Sequence, residues 1–202
     1  MTVPEIVLAS ISPRRAALLE QIRVPFRTHP SGLGEDGEAQ FAGEDAEACA
    51  CRLALAKASE VARALTHGLV IGADTVVTCD DRLLGKPRHP DEAQAFLLSL
   101  AGRTHRVITG VAVVEAVTGR AEVDAAVTEV TMRSFDAAEA AQYVATGEPM
   151  DKAGAYGIQG RGALLVAGIR GDYFNVVGLP LGLLAVLLRR FGVDPWGVEA
   201  AQ

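Results

Sequence analysis

Cysteine, lysine and long apolar runs are all scarce in this 202-residue chain. Cysteine occurs only at Cys49, Cys51 and Cys79. The odd number argues against a disulfide framework, and the spacings match no zinc or redox motif. These residues read as small apolar groups in a reduced protein. The longest apolar stretch, around 179–188, is roughly half of what a bilayer crossing needs. The start, MTVPEIVLAS, has no basic segment ahead of its apolar run, so no secretory signal is read there and a cytoplasmic location is expected. Positive charge is short as well. A net charge of −6 leaves no broad basic surface for nucleic acid, although a local cationic cluster can still hold a small polyanion, especially with a metal ion.

Several catalytic signatures are missing. The four histidines (His29, His67, His89, His105) form no i, i+4 pair, which argues against a zinc hydrolase. No G-x-S-x-G and no G-x-x-x-x-G-K-[ST] occurs, so neither a nucleophile elbow nor a P-loop is present. Gly32–Gly37 matches G-x-G-x-x-G formally, but no apolar helical repeat follows at once, so it is not read as a dinucleotide site. His105 follows a Gly-Arg-Thr turn and reads as a cap on the next strand.

With 50% hydrophobic and 22% charged residues, the composition is that of a globular protein with a substantial core. Residues 6–9 read as a buried strand feeding a helix over 13–22, and 26–29 as a second strand. Residues 30–43 read as a loop and 45–64 as a helix with apolar residues every three or four positions. A strand over 69–77 is interrupted at Gly72-Ala-Asp74-Thr75. A helix over 91–100 precedes two β-rich runs, 107–117 and 121–132, joined at Thr118-Gly119 as a hairpin. A helix over 136–146, a strand over 163–169 and a closing helix over 181–190 complete the pattern. Interleaved helices and strands around an antiparallel hairpin predict an α/β protein with a mixed sheet, organised as one domain over 1–202 without a linker.

Chemistry concentrates in few places. Gly147–Gly162, GEPMDKAGAYGIQGRG, holds five glycines in sixteen residues, with Asp151, Lys152, Gln159 and Arg161 between them. Such a segment lets backbone approach a ligand, and its polar residues suit phosphate and a base edge. Upstream, Ser12-Pro13 reads as an N-cap and first helical residue, followed by Arg14 and Arg15. Arginine in a first turn opposes the helix dipole, so a bound anion there explains the placement. Asp74 lies in an apolar strand, where a carboxylate is costly unless paired or bound to metal; it reads as a magnesium ligand or general base at a strand end. The only lysines are Lys57, Lys86 and Lys152. Lys86 and Lys152 sit between turn residues, as point charges for phosphate would; Lys57, on a helix, reads more readily as solvated surface.

These residues together resemble the Maf family of nucleoside triphosphate pyrophosphatases. The resemblance runs from Leu8-Ala-Ser10-x-Ser12-Pro-Arg-Arg15 through Gly72-Ala-Asp74-Thr75-Val, Gly85-Lys86-Pro87 and Glu148–Gly160 to Gly171-Asp-Tyr173 and Val177-Gly178-Leu-Pro180, in order, over roughly residues 6–182. It implies a two-lobed α/β fold with a central cleft, like that of the inosine triphosphate pyrophosphatases. It also implies hydrolysis of an α–β phosphoanhydride with a divalent metal, Mg²⁺ or Mn²⁺, and a homodimer. By position, Asp74 would accept the proton of the attacking water and hold the metal. Ser10, Arg15, Lys57, Lys86 and Lys152 would bind the triphosphate. Arg14, Thr75 and Gln159 match the trio of the branch acting on dTTP and UTP, as opposed to that acting on 7-methyl-GTP. A glutamine that donates and accepts suits a uracil or thymine edge. The paired acids that supply a further metal ligand are altered here to Gly34-Glu35-Asp36-Gly37-Glu38, giving Glu35 as that ligand with Glu38 as substitute. The competing class is a nucleotide-binding regulator of cell division without turnover.

Overall fold

The computed structural model describes residues 4–33, 45–80 and 82–197. A seven-stranded mixed sheet forms its centre, with strand order β2-β1-β3-β5-β6-β7 and β4 on the side of β3 away from β5. β1 (Ile6–Leu8) runs parallel to both β2 (Arg27–Thr28) and β3 (Leu69–Cys79). β4 (Arg82–Leu84), β5 (Thr104–Glu115), β6 (Ala121–Met132) and β7 (Val166–Arg170) then pair antiparallel with their neighbours. The helices are α1 (Pro13–Gln21), α2 (Ala46–Arg63), α3 (Pro90–Leu100), α4 (Ala137–Val144), α5 (Tyr173–Val177) and α6 (Leu181–Arg190). Among the described residues, no helix is long and apolar enough to cross a membrane.

The expected interruption at Gly72-Ala-Asp-Thr75 is absent: β3 is continuous over eleven residues, and Asp74 lies in mid-strand opposite Gly110. Glycine here serves close packing. A side chain at Gly72 would collide with the Ala54 carbonyl, and one at Gly110 with the Ala50 carbonyl group, so α2 rests directly on β3 and β5. β4 and α5, three and five residues long, were not expected. The glycine-rich segment becomes three 3₁₀ turns, Glu148–Asp151, Ala153–Ala155 and Gly160–Leu165, and β7 starts only at Val166 because the last turn occupies the beginning of the expected strand.

Two apolar cores lie along the long strands. One joins Ile71, Ala73, Val111 and Val113 to Leu18 and Leu19 of α1 and to Leu184, Leu187 and Leu188 of α6. The other joins Val77, Cys79, Val107 and Met132 to Leu97 and Leu100 of α3, with Tyr143, Tyr156 and Leu165. On the opposite face, Ala54, Ala58 and Val61 of α2 cover Val70 and Ala112. Along β3, Asp74 and Thr75 separate the residues that belong to the first two cores.

Candidate active site

The gap between those cores is built into the sheet. On its side away from β5, β3 pairs with β1 through Leu69–Ile71 and with β4 through Val77–Cys79, leaving 72–76 between them. Binding crevices form where neighbouring strands of an open sheet diverge in this way. A pocket of about 650 Å³ lies there, lined by Asp74 and Thr75 of β3, by Ser12–Arg15 at the start of α1, by Gly85–Arg88 after β4, and by Asp151, Lys152, Gln159 and Gly178. That volume is within the usual range for small-molecule sites.

Charge in the pocket is unbalanced: Arg14, Arg15, Lys86, Arg88 and Lys152 line it, against the carboxylates of Asp74 and Asp151. Burial first, then the charge of Arg15, lowers the pKa of Lys86; burial likewise lowers that of Arg15, with the Asp74 charge opposing. An anion in the pocket would relieve both.

Arg15 is fixed from three sides. Its Nε donates to the Gly178 carbonyl at 2.8 Å, Nη1 to Ser10 Oγ at 3.3 Å and Nη2 to Thr75 Oγ1 at 3.1 Å. Thr75 Oγ1 also lies 2.9 Å from Thr109 Oγ1, whose hydroxyl donates to the Asn175 carbonyl at 3.0 Å. The Thr75 hydroxyl thus holds an arginine as well as lining the pocket. Ser12 occupies the N-cap position of α1 without a side-chain cap bond, and its own N–H donates to Ser10 Oγ at 3.1 Å.

Lys57 is not the solvated lysine that its helix pattern suggests. Its Nζ donates to Asp74 Oδ1 at 2.6 Å, and the two side chains are 7% and 14% exposed. The close seating of α2 on Gly72 and Gly110 brings this lysine to the strand. Lys57 and Ser10 line an adjoining cavity of about 360 Å³, so the expected substrate-binding set divides between two neighbouring cavities.

Asp151, named by sequence only among the polar residues of the glycine-rich segment, bridges two of the pocket's cations. Its Oδ2 accepts from Arg14 Nη1 at 2.9 Å, and its Oδ1 from Lys152 Nζ at 2.5 Å. Lys152 Nζ also donates to the Glu148 carbonyl at 2.6 Å. The partner of Arg14 is 137 residues away, and no spacing rule links such positions. His105 does not cap its strand; it is buried, with Nε2 2.7 Å from the Tyr156 hydroxyl.

The donor set can be tested against a divalent metal. Among the described residues, no group of three or more His, Cys, Asp and Glu gathers. Asp74 offers a carboxylate at the pocket wall, with Oδ1 already engaged by Lys57. Mg²⁺ keeps several waters and binds through one or two carboxylates plus substrate phosphates. The site therefore fits a metal carried in with a phosphorylated ligand. Glu35 and Glu38 lie outside the described residues.

Comparison with known proteins fits this geometry. A family model described as Maf-like protein matches residues 5–191. The chain belongs to the Maf family. Among its relatives, a dTTP/UTP pyrophosphatase of Moorella thermoacetica is 55% identical over 193 residues, covering 96% of this chain and 98% of that protein. A dTTP/UTP pyrophosphatase of Myxococcus xanthus is 49% identical, covering 95% of each chain. One of Desulforamulus reducens is 46% identical over 190 residues, covering 94% and 97%. Family membership thus spans β1 through α6, all the elements that border the pocket.

Proposed function

We propose that this protein hydrolyses dTTP and UTP to the nucleoside monophosphate and pyrophosphate. The observation that carries this reading is the convergence of five cations, Asp74 and Gln159 on one pocket. The names of relatives that match nearly the whole chain support the substrate class.

In the proposed reaction, water attacks phosphorus, the α–β P–O bond breaks and pyrophosphate leaves. Negative charge is spread over the phosphoryl oxygens, so positioned cations do most of the work. Arg15 is held in place before substrate arrives and needs no reorganisation to serve as a donor. Lys86, Lys152 and Lys57 add charge along the triphosphate, and Ser10 a hydroxyl. Asp74, fixed by Lys57, takes the proton of the attacking water. Asp74 would also hold Mg²⁺ or Mn²⁺ with substrate oxygens, with Glu35 or Glu38 as a further carboxylate. When bound, the metal neutralises triphosphate charge and polarises the phosphoryl oxygens. Gln159 reads the carbonyl and imide edge of the pyrimidine, with Arg14 and Thr75 completing the specificity set. A cytoplasmic location and a homodimer go with this reading; light scattering checks the latter.

The test is pyrophosphate release from a panel of UTP, dTTP, CTP, GTP and 7-methyl-GTP with Mg²⁺ or Mn²⁺. UTP and dTTP are expected to lead. Preference for 7-methyl-GTP would assign the other branch, and binding without release would make the protein a nucleotide sensor. In the same panel Gln159→Glu should lower the rank of UTP and dTTP; an unmoved ranking removes Gln159 as the base reader.

A further inference from the structure

Gln159 sits at a junction in the glycine-rich segment. It stands at the N-cap of the 3₁₀ turn Gly160–Leu165, with extended backbone. The short side chains of Ser, Thr, Asp and Asn at that position accept the first free N–H groups of a turn, a role that the longer glutamine does not ordinarily fill. Gln159 makes no such bond.

Those donors go elsewhere. Glu148 Oε2 accepts from the Arg161 N–H and Oε1 from the Gly162 N–H, each at 3.0 Å. The same carboxylate accepts the Tyr143 hydroxyl at 2.8 Å, and the Tyr143 oxygen accepts the Gly157 N–H at 3.2 Å. One carboxylate–phenol pair therefore holds the segment on both sides of Gln159. Gly160 has φ of 68°, and a Cβ there would come within 2.8 Å of Glu148 Oε2, so the carboxylate lies directly beneath the turn. Burial by itself would raise the Glu148 carboxyl, but the N–H groups of Gly162 and Arg161, the Tyr143 hydroxyl and the Lys152 charge together bring it below its ordinary value. It acts as an ionised acceptor, and charge-assisted bonds of this kind are the stronger ones.

We propose that Glu148 is a positioning residue for base recognition: it caps the turn from a distance, where no N-cap side chain does so, and holds the segment that sets Gln159 at the pocket wall. This rests on the reading of Gln159 as the base reader. Glu148 does not line the pocket itself, whereas Gln159 does. Loss of its carboxylate should therefore act on the nucleoside half of the ligand and spare the phosphate half.

The experiment compares wild type with Glu148→Gln, which sets an amide N–H against a backbone N–H. Calorimetry measures binding of a non-hydrolysable UTP analogue and of inorganic tripolyphosphate. The loss of a charged hydrogen bond corresponds to a weakening of about tenfold or more for the analogue. Tripolyphosphate affinity should stay within twofold. In turnover, KM for UTP should rise by a similar factor while kcat stays within about twofold. Tyr143→Phe should move the same quantities in the same direction, and the double variant should fall short of the sum of the two. The proposal is overturned if analogue affinity is unmoved in folded Glu148→Gln, or if tripolyphosphate binding weakens as much. Should Glu148→Gln fail to fold, Tyr143→Phe decides by the same two affinities. The enzymatic reading fails separately, if wild type releases no pyrophosphate from any nucleotide.

Discussion

Asp74 and Lys57 face each other from a strand and a helix that touch, and they are largely closed off from solvent. An ion pair in such a position is costly to break from one side, about 3–5 kcal/mol, because the remaining charge keeps its desolvation cost. Asp74→Asn should therefore do two things. Turnover should fall by at least about 10²-fold, as loss of a general base does. Stability should fall too, because Lys57 is left without its carboxylate. Adding Lys57→Met should restore the urea midpoint while activity stays lost. Pyrophosphate release and urea denaturation on the three variants check this; turnover of Asp74→Asn within tenfold of wild type would refute the role. At this scale much of the site was legible. Asp74 stood out as an acid in an apolar strand, and Arg15, Lys86 and Lys152 as cations in turns or at a helix start. Lys57 was misjudged as solvated, since helical spacing does not say which face packs on glycine. Glu148 and Tyr143 were missed, and Asp151 was named without its partners, because their roles come from contacts that no periodicity connects.

Helix α2 sits so low on the sheet because Gly72 and Gly110 carry no side chain. At Gly72 the collision is with backbone, which no rotamer change relieves. Gly72→Ala should therefore push α2 outward at a cost of about 1–3 kcal/mol, carrying Lys57 away from Asp74. The urea midpoint should drop with an unchanged m-value, and turnover should fall with it; a variant with full stability would show that α2 does not depend on this contact. Most elements of eight or more residues were readable, α2 through its apolar spacing and the β5–β6 hairpin through its β-rich runs and turn, although β3 was read as interrupted. β4 and α5 are too short to display a period. The segment 148–165 repeats no spacing, and its 3₁₀ turns are set by tertiary bonds such as those of Glu148.

For the whole molecule, pH brings the buried histidine into play. His105 bonds to Tyr156, with the rings edge-on at 5.3 Å, and so ties β5 to the glycine-rich segment. Burial lowers its pKa to about 4 from 6.5. Below pH 6.5 the unfolded chain takes up a proton that the folded protein refuses until about pH 4. The stability is thus fully present above pH 6.5 and is lost as pH falls towards 4, by up to about 3 kcal/mol. Glu92, lowered to about 2 from 4.5 by bonds from Arg88, acts in the same direction at lower pH. Urea denaturation at pH 7 and pH 5 should show the fall in wild type and a smaller one in His105→Gln; equal falls would remove His105 as its source.

By itself the sequence determined the class of fold, through the alternation of helical and strand periods, and the chemical types that gather at the site, through glycine density and acids or cations placed against local preference. Only the tertiary structure decided where they meet. On its side away from β5, β3 is left without a neighbour over 72–76, between the stretch paired with β1 and the stretch paired with β4. Arg14 meets Asp151, and Arg15 meets Gly178, across 137 and 163 residues. Periodicity along a chain reports which face a side chain takes, whereas contacts at such separations are settled by how helices and strands pack in three dimensions.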